Sequence, residues 1–334
     1  MQRPEEWFES NSDYPPPDRI AVPEQFPPPD VDNCNRISTN VLNNGRVLLA
    51  ETVLIPTYGY RKTQKIKKEP PSRSYRRYDH DDDYSSDSDQ DIEIMDDPAP
   101  TKAYWFRRQL RNAIFGSVWY AILLIPSTTN DEAEWETTDQ ACAVKEMDCN
   151  QIVEMQESAE KPLQEVATMQ YAQRYLDQLL VQQGMPEGGA IMNPVEYTQR
   201  AKRQVLESHV MLPLDVLTDT RNLYLVMPYF GGGELFDVLK EREHFTQEEA
   251  RTYFFQMLEG IEFLQRAGIC HRDMSLENLL TDEENNVVVV IDFGMSLKIP
   301  YLQQGLGGGS FDHRERDRCL IRPQGTCGKV RVQI

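Results

Sequence analysis

Proline and charge divide this chain at about residue 100, and that division limits where a hydrophobic core can form. Residues 1–100 hold 13 of the 21 prolines. Residues 61–77 carry eight basic residues and one acidic residue, and residues 79–97 carry ten acidic residues and no Lys or Arg. Adjacent blocks of opposite charge attract each other, but they offer too little apolar surface for a core. We therefore predict a disordered, Pro-rich and acidic tail over residues 1–100 and a folded domain over residues 101–334.

The tail contains two kinds of segment that differ from the rest of it. The proline runs within residues 14–17 and 26–29 favour extended polyproline conformation, which serves either as a spacer or as a docking segment for a partner with an aromatic groove. Residues 47–55 are its one apolar island, for which we predict a strand or a short hairpin.

Charge and hydropathy exclude several classes of function. The net charge is −19, from 35 Lys and Arg against 54 Asp and Glu, so we expect no nucleic-acid partner and no membrane partner. The longest apolar run, residues 118–125, is far shorter than the roughly 20 residues that span a bilayer. The six cysteines lack paired metal-ligand spacing, and no apolar stretch follows the first residues. We expect reduced thiols, no secretory signal and a cytoplasmic or nuclear location.

Apolar periodicity in residues 101–334 predicts strands first and helices later. The best-defined helix spans residues 247–266, with a capping box formed by Thr246 and Glu249 and with Gly268 just after its end. The order of elements indicates an α+β fold with two lobes. The other predicted elements are strands at 118–125 and 142–147 with an acidic loop at 130–139 between them, a helix at 163–180, and buried strands at 223–227 and 287–291.

Two polar motifs follow the helix at 247–266. Residues 271–273 read His-Arg-Asp and are followed by Asn278, and residues 292–294 read Asp-Phe-Gly, beginning 19 residues after Asp273. Either motif alone is common in loops, but together they match the signature set of protein kinases. This part of the chain resembles eukaryotic protein kinases of the serine/threonine type, and the resemblance covers about residues 104–331.

The resemblance implies a protein-kinase-like two-lobed domain. A small β-rich N-lobe is expected at about residues 104–227 and a helical C-lobe at about residues 231–334. The C-lobe is expected to be incomplete, since the family continues with further helices after its activation segment. Between the helix of Glu165 and the next strand, this chain is longer than the family usually is, so residues 172–207 resemble an insertion. We expect this insertion to form solvent-exposed helix.

The resemblance also implies a catalytic set. Asp273 would accept the proton of the substrate hydroxyl, and Asn278 and Asp292 would hold Mg²⁺. Lys145, which ends a Cys-Ala-Val-Lys strand, would hold the α and β phosphates of ATP. Its partner would be a glutamate on the next helix, for which we favour Glu165.

The choice of Glu165 depends on Pro162. A proline starts a helix better than it continues one, and Glu165 lies after Pro162 while nearer candidates lie before it. Those candidates are Glu154, Glu157 and Glu160.

An ATP site is implied around residues 223–236, which resemble the interlobe hinge. The loop that covers the phosphates departs from the family, because it keeps only its third glycine and places Arg111 and Ala113 where the family has the other two. Side chains there put close backbone approach to phosphate in doubt. The implied nucleotide contacts are Leu110, Gly116, Val118, Ala143, Lys145, Met227, Tyr229, Phe230, Glu234 and Leu280.

Two functions follow. The first is an ATP- and Mg²⁺-dependent protein kinase, favoured by the complete catalytic set. The second is a truncated or inactive kinase-like binding or regulatory module, favoured by the altered loop and the short C-lobe. For the enzyme, the resemblance argues against tyrosine specificity, because residues 275–277 read Ser-Leu-Glu where tyrosine kinases of the family usually have Ala-Ala-Arg or Arg-Ala-Ala. Glu234 and Glu277 match positions at which the basic-directed members of the family carry acidic residues that contact Arg or Lys near the acceptor. We therefore expect a protein substrate that is basic near its Ser or Thr.

Overall fold

The computed structural model describes residues 24–57, 99–129, 131–155, 161–184, 193–282 and 286–299. The described residues form a mixed helix and strand structure, with one large sheet, two helices of 20 or more residues and two smaller sheets. The proline run at 14–17, the charged blocks at 61–77 and 79–97, and the end of the predicted C-lobe at 300–334 lie outside these ranges.

The large sheet holds nine strands. They are β1 (Asp32–Ile37), β2 (Asn40–Asn43), β3 (Arg46–Leu49), β4 (Val53–Pro56), β5 (Ala103–Ala113), β6 (Gly116–Pro126), β7 (Trp135–Asp148), β8 (Asp215–Thr218) and β9 (Asn222–Pro228). The predicted strands at 118–125, 142–147 and 223–227 are present within β6, β7 and β9. The loop predicted at 130–139 is shorter than expected, because buried Trp135 already pairs with Val41 of β2 and with Pro126 of β6.

Seven of these strands pair in a closed ring. The order β7-β6-β5-β4-β1-β8-β9 returns to β7 through the antiparallel pairing of β9 with β7. Every neighbouring pair is antiparallel except β1 with β8, where Asp32 and Asn33 lie parallel to Leu217 and Thr218. The ring therefore leaves none of its seven strands as an open edge.

The prediction of one disordered tail over residues 1–100 is wrong for residues 32–56, which supply β1 to β4. The strand or hairpin predicted at 47–55 is present as β3 and β4. Leu54 in β4 is fully buried, and Cys34 in β1 is the one buried residue of that strand. Both contribute to a core cluster with Tyr104, Ala121, Val144 and other side chains. The burial of this apolar surface outweighs a local composition that disfavours folding.

Five α-helices lie among the described residues. They are α1 (Cys149–Glu154), α2 (Pro162–Gln182), α3 (Pro194–Ser208), α4 (Leu235–Arg242) and α5 (Gln247–Arg266). The helices predicted at 163–180 and 247–266 are thus present. The predicted capping box is also present, since the Glu249 backbone N–H donates to the Thr246 hydroxyl and the Thr246 backbone N–H donates to the Glu249 carboxylate. None of the helices in these ranges is long and apolar enough to span a membrane.

The segment predicted as an insertion, 172–207, contains the end of α2 and most of α3. The expectation of solvent-exposed helix is wrong for one face of α3, where Thr198, Ala201 and Val205 are buried. Directly after α3, the His209 carbonyl accepts from the Val290 N–H at 2.8 Å, and the Met211 N–H donates to the Val290 carbonyl at 2.9 Å. The residues that connect α3 to β8 are therefore hydrogen-bonded to the part of the chain that follows β9.

The part after β9 holds α4, α5 and two small sheets. One small sheet contains β10 (Gly233–Glu234), β12 (Leu279–Asp282) and β13 (Val287–Val290); the other pairs β11 (Ile269–Cys270) with β14 (Leu297–Lys298). The strand predicted at 287–291 is present as β13. On α5, Leu264 is buried, while Phe254 and Leu258 are half exposed.

Candidate functional site

Lys145 and Glu165 form a nearly buried ion pair. Alternate residues of β7 face opposite sides, so Cys142 and Val144 join the core while Ala143 and Lys145 face away from it. Pro162 occupies the first turn of α2, which brings Glu165 to the helix start. The Lys145 Nζ atom lies 2.6 Å from Glu165 Oε2, and the two side chains are 16% and 8% exposed. The structure thus brings together the pair that the sequence indicated.

Asp273 and Asn278 are joined in the loop after β11. The Asn278 side-chain amide donates to the Asp273 carbonyl oxygen at 2.8 Å and to the Asp273 carboxylate at 2.9 Å. Asn278 ends a short 3₁₀ turn, Leu276–Asn278, and its carbonyl accepts from the Ile291 N–H at 3.0 Å. This network fixes the direction of the exposed Asp273 carboxylate and ties it to the strand that leads to Asp292.

His271 connects the same loop to residues 291–293. Its Nε2 lies 2.9 Å from the Ile291 carbonyl oxygen, and its Nδ1 lies 3.3 Å from the Asp273 backbone N–H. The ring also meets the buried Phe293 ring edge to face at 5.1 Å. Nδ1 therefore accepts and Nε2 donates, which is the pattern of a neutral imidazole. Burial lowers the pKa of His271, outweighing the Ile291 hydrogen bond and the charges of Asp292 and Asp273.

Acidification is expected to weaken the fold through His271. Its folded pKa lies below the ordinary value of about 6.5, so the unfolded chain binds a proton more readily. Its contribution to stability is present above pH 6.5 and is lost as the pH falls below that value. Urea unfolding between pH 7 and pH 5.5 should show a shallower loss in His271→Gln, whose amide can donate to Ile291 but does not titrate. Identical slopes in both proteins would contradict this assignment.

Two residues beside these hydrogen bonds have left-handed backbone conformations. Arg272 has φ 68° and Asp292 has φ 64°, values that non-glycine residues seldom adopt. Asp292 is held there by a hydrogen bond from the Gly294 N–H to its carboxylate at 3.2 Å, and Arg272 donates through Nε to the Met295 carbonyl at 2.6 Å. Strained backbone of this kind clusters at functional sites.

A cavity of about 340 Å³ lies between the nine-stranded sheet and the part after β9. Its size falls in the usual range for small-molecule sites. It contains Lys145, Glu165 and Asp292, whereas Asp273 and Asn278 are not among its lining residues. Its lining includes these residues implied for the nucleotide: Leu110, Val118, Ala143, Lys145, Met227, Tyr229, Phe230, Glu234 and Leu280.

Gly116 is the exception among the implied nucleotide contacts. It begins β6 and does not line the cavity. A Cβ atom there would lie 2.2 Å from the Glu146 carbonyl oxygen on β7. Close packing of two strands thus accounts for this glycine, and its implied contact with the nucleotide stays a prediction.

Arg111 and Glu234 form an ion pair at the cavity. Arg111 lies near the end of β5, and Glu234 immediately precedes α4. Their side chains are 51% and 24% exposed. This ion pair therefore connects the nine-stranded sheet to the part after β9.

The cavity also contains residues that sequence reasoning did not assign to it. Met169 follows Glu165 by one helical turn, and Asp237 follows Glu234 by three residues, so helical spacing could have indicated both. Ile291 precedes Asp292 directly. Met211 follows α3 and had no comparable signal, because its position depends on the pairing of residues 210–211 with β13.

Comparison with known proteins gives a partial match. Residues 189–307 match the protein kinase domain. The chain is 40% identical over 97 residues to the "Probable serine/threonine-protein kinase HSL1" of Saccharomyces cerevisiae. The aligned stretch covers 29% of this chain and 6% of that protein. It is 45% identical over 83 residues to the "Hormonally up-regulated neu tumor-associated kinase" of Homo sapiens, covering 25% and 12%.

The matches leave much of each protein uncovered. The matched stretch spans 12% or less of the length of these relatives. Residues 189–307 include Asp273, Asn278 and Asp292, but Lys145 and Glu165 lie before them. The assignment of that ion pair therefore rests on the geometry of the cavity.

Proposed function

We propose that this chain, whose residues 189–307 match the protein kinase domain, transfers the γ-phosphate of ATP to serine or threonine in a protein substrate. The observation that carries the proposal is the Lys145–Glu165 ion pair at 2.6 Å in the cavity that also contains Asp292. A buried cation and a carboxylate in one concave site suit a polyphosphate with a divalent metal.

The residues present fit ATP and Mg²⁺. The apolar side chains of Leu110, Val118 and Leu280 line the cavity and suit a flat base, while small Ala143 leaves room for it. Asp292 and Asn278 would hold the metal. No cluster of three or more His, Cys, Asp or Glu that could bind a metal occurs in the described ranges. Mg²⁺ usually takes one or two protein carboxylates together with water and phosphate oxygens.

The chain's own residues provide positioning and charge. Bound Mg²⁺ would neutralise charge on the phosphates. The Lys145 ammonium, oriented by Glu165, would hold phosphate oxygens, and the Asp273 carboxylate would accept the proton of the substrate hydroxyl. Asn278 keeps that carboxylate oriented, through the hydrogen bonds at 2.8 and 2.9 Å. General-base contributions of this kind are typically worth about 10²- to 10⁴-fold in rate.

The substrate is proposed to be basic around its acceptor. Glu277 is exposed beside the catalytic loop, and the whole chain carries −19, so basic peptides are attracted by both local and long-range charge. A peptide array with Ser, Thr and Tyr acceptors in basic, neutral and acidic contexts tests this. Fastest phosphorylation of basic Ser or Thr peptides is expected. A preference for Tyr or for acidic peptides would contradict the substrate class, and phosphorylation of no peptide would favour the non-catalytic module.

Restoring glycine at position 111 is expected to strengthen ATP binding. Arg111→Gly breaks the Arg111–Glu234 pair, frees Glu234 and lets the backbone approach the phosphates. Because a pair this exposed is worth at most about 1 kcal/mol, the dissociation constant for ATP should fall by no more than about fivefold. Isothermal titration calorimetry measures this, with Arg107→Gly on the same strand as control. Weaker binding would instead show that the Arg111 cation attracts the phosphates.

A further inference from the structure

We propose that residues 24–31 act as a clamp within the chain that holds α2 and the segment after Asp-Phe-Gly in the arrangement that pairs Glu165 with Lys145. In this proposal Phe26 and Gln170 are positioning residues. The effect on turnover rests on the proposed function, whereas the effect on the position of α2 does not.

The clamp contacts α2 one to two turns beyond Glu165. Gln170 accepts a hydrogen bond from the Asp30 backbone N–H at 2.8 Å and donates its amide N–H to the Asp30 carbonyl at 2.7 Å. The next residue, Tyr171, meets the Phe26 ring edge to face at 5.6 Å. Phe26 is partly buried against the core cluster that includes Val166 and Met169. Backbone, polar side chain and aromatic ring thus join the clamp to the helix.

The same clamp contacts the segment after Asp-Phe-Gly. The Glu24 backbone N–H donates to the Lys298 carbonyl at 3.0 Å, and the Glu24 carboxylate lies 2.9 Å from Lys298 Nζ. Lys298 Nζ also lies 5.3 Å from the centre of the Tyr171 ring. The clamp, α2 and β14 therefore meet around Tyr171.

The segment after Asp-Phe-Gly also forms hydrogen bonds with α2 on both sides of Glu165. The Thr168 hydroxyl lies 2.7 Å from the Ser296 hydroxyl, and the Gln164 amide donates to the Ser296 carbonyl. Ser296 is fully buried. Movement of either element would disturb the other, so a clamp that holds both bears directly on the Lys145–Glu165 pair.

The start of α2 lacks a common stabilising contact, and the clamp is placed where it can support this helix. Its N-cap residue, Lys161, makes no side-chain capping hydrogen bond, so the turn that carries Glu165 lacks that stabilisation. The clamp leads directly into β1, which is paired with β4 and β8. Because the clamp is attached to a strand of the closed ring, its local concentration at α2 is high and little entropy is lost on docking.

The test compares two variants of the full chain with a control. Phe26→Ala removes the aromatic contact, and Gln170→Met removes both hydrogen bonds while keeping helix propensity and side-chain length. Leu49→Ala is the control, because Leu49 lies in β3 and is 84% exposed. Hydrogen–deuterium exchange reports the stability of each segment, and steady-state kinetics give kcat and the KM for ATP.

In both variants, exchange should accelerate by about tenfold in residues 162–171 and 294–298, with β6 and β7 unchanged. Turnover should fall by about tenfold with the KM for ATP within about twofold, since the cavity's apolar contacts are intact. Phe26→Tyr, which keeps the aromatic ring, should show the exchange and turnover of the wild type. The control Leu49→Ala should change neither quantity. Unchanged exchange in α2, or faster exchange throughout the chain in both variants, would overturn the clamp. An inactive wild-type chain would contradict the proposed function and leave the exchange comparison decisive.

Discussion

Replacing Lys145 with Met is expected to reduce phosphotransfer by at least about 10³-fold, because the proposed reaction depends on fixed charges around a largely buried ion pair. Lys145 Nζ lies 2.6 Å from Glu165, which is only 8% exposed. The methionine side chain keeps the length of lysine but removes the cation that would hold the phosphates. Measurement of kcat and of the dissociation constant for ATP should show a much larger effect on turnover than on binding.

The control for this prediction is Lys240→Met on the exposed face of α4, which should retain wild-type kinetics. Lys145→Met also leaves the Glu165 carboxylate without its cation, so its unfolding should be measured in parallel. A folded Lys145→Met protein with unchanged turnover would remove Lys145 from the mechanism.

Leu54→Ala is expected to destabilise the fold by about 2–5 kcal/mol, since it deletes a fully buried side chain from the core of the closed ring. The matched change Leu49→Ala, in β3 of the same N-terminal segment but outside the closed ring, should fall within about 0.5 kcal/mol of wild type. Urea unfolding measures both. Equal stability of the two variants would contradict the finding that residues 32–56 belong to the folded domain.

Local signals in the sequence located much of the site. The helix at 247–266 was predictable because its capping box and apolar face lie within one continuous segment. The resemblance to protein kinases implied a lysine–glutamate pair, and the helix start at Pro162 selected Glu165, which forms the ion pair with Lys145 that the structure contains. These inferences depend on neighbours close in sequence, where periodicity and turn chemistry are informative.

Contacts between distant segments could not be predicted in this way. The strands β1 and β4 are short and lie in a segment rich in proline, and their stability comes from pairing with β8 and β5, far along the chain. The Arg111–Glu234 pair likewise joins residues 123 positions apart. Gly116 was assigned to the nucleotide on its motif position, although its tight approach to Glu146 is visible only in the folded sheet.

Transfer of labelled γ-phosphate tests the central claim most directly. Wild-type chain and Asp273→Asn should be incubated with Mg²⁺, γ-labelled ATP and a basic serine peptide. The wild type is expected to label the peptide, and Asp273→Asn should do so at least about 10²-fold more slowly while still binding ATP. Equal labelling by both proteins, or ATP binding by a folded wild type without any labelling, would contradict the proposed phosphotransfer.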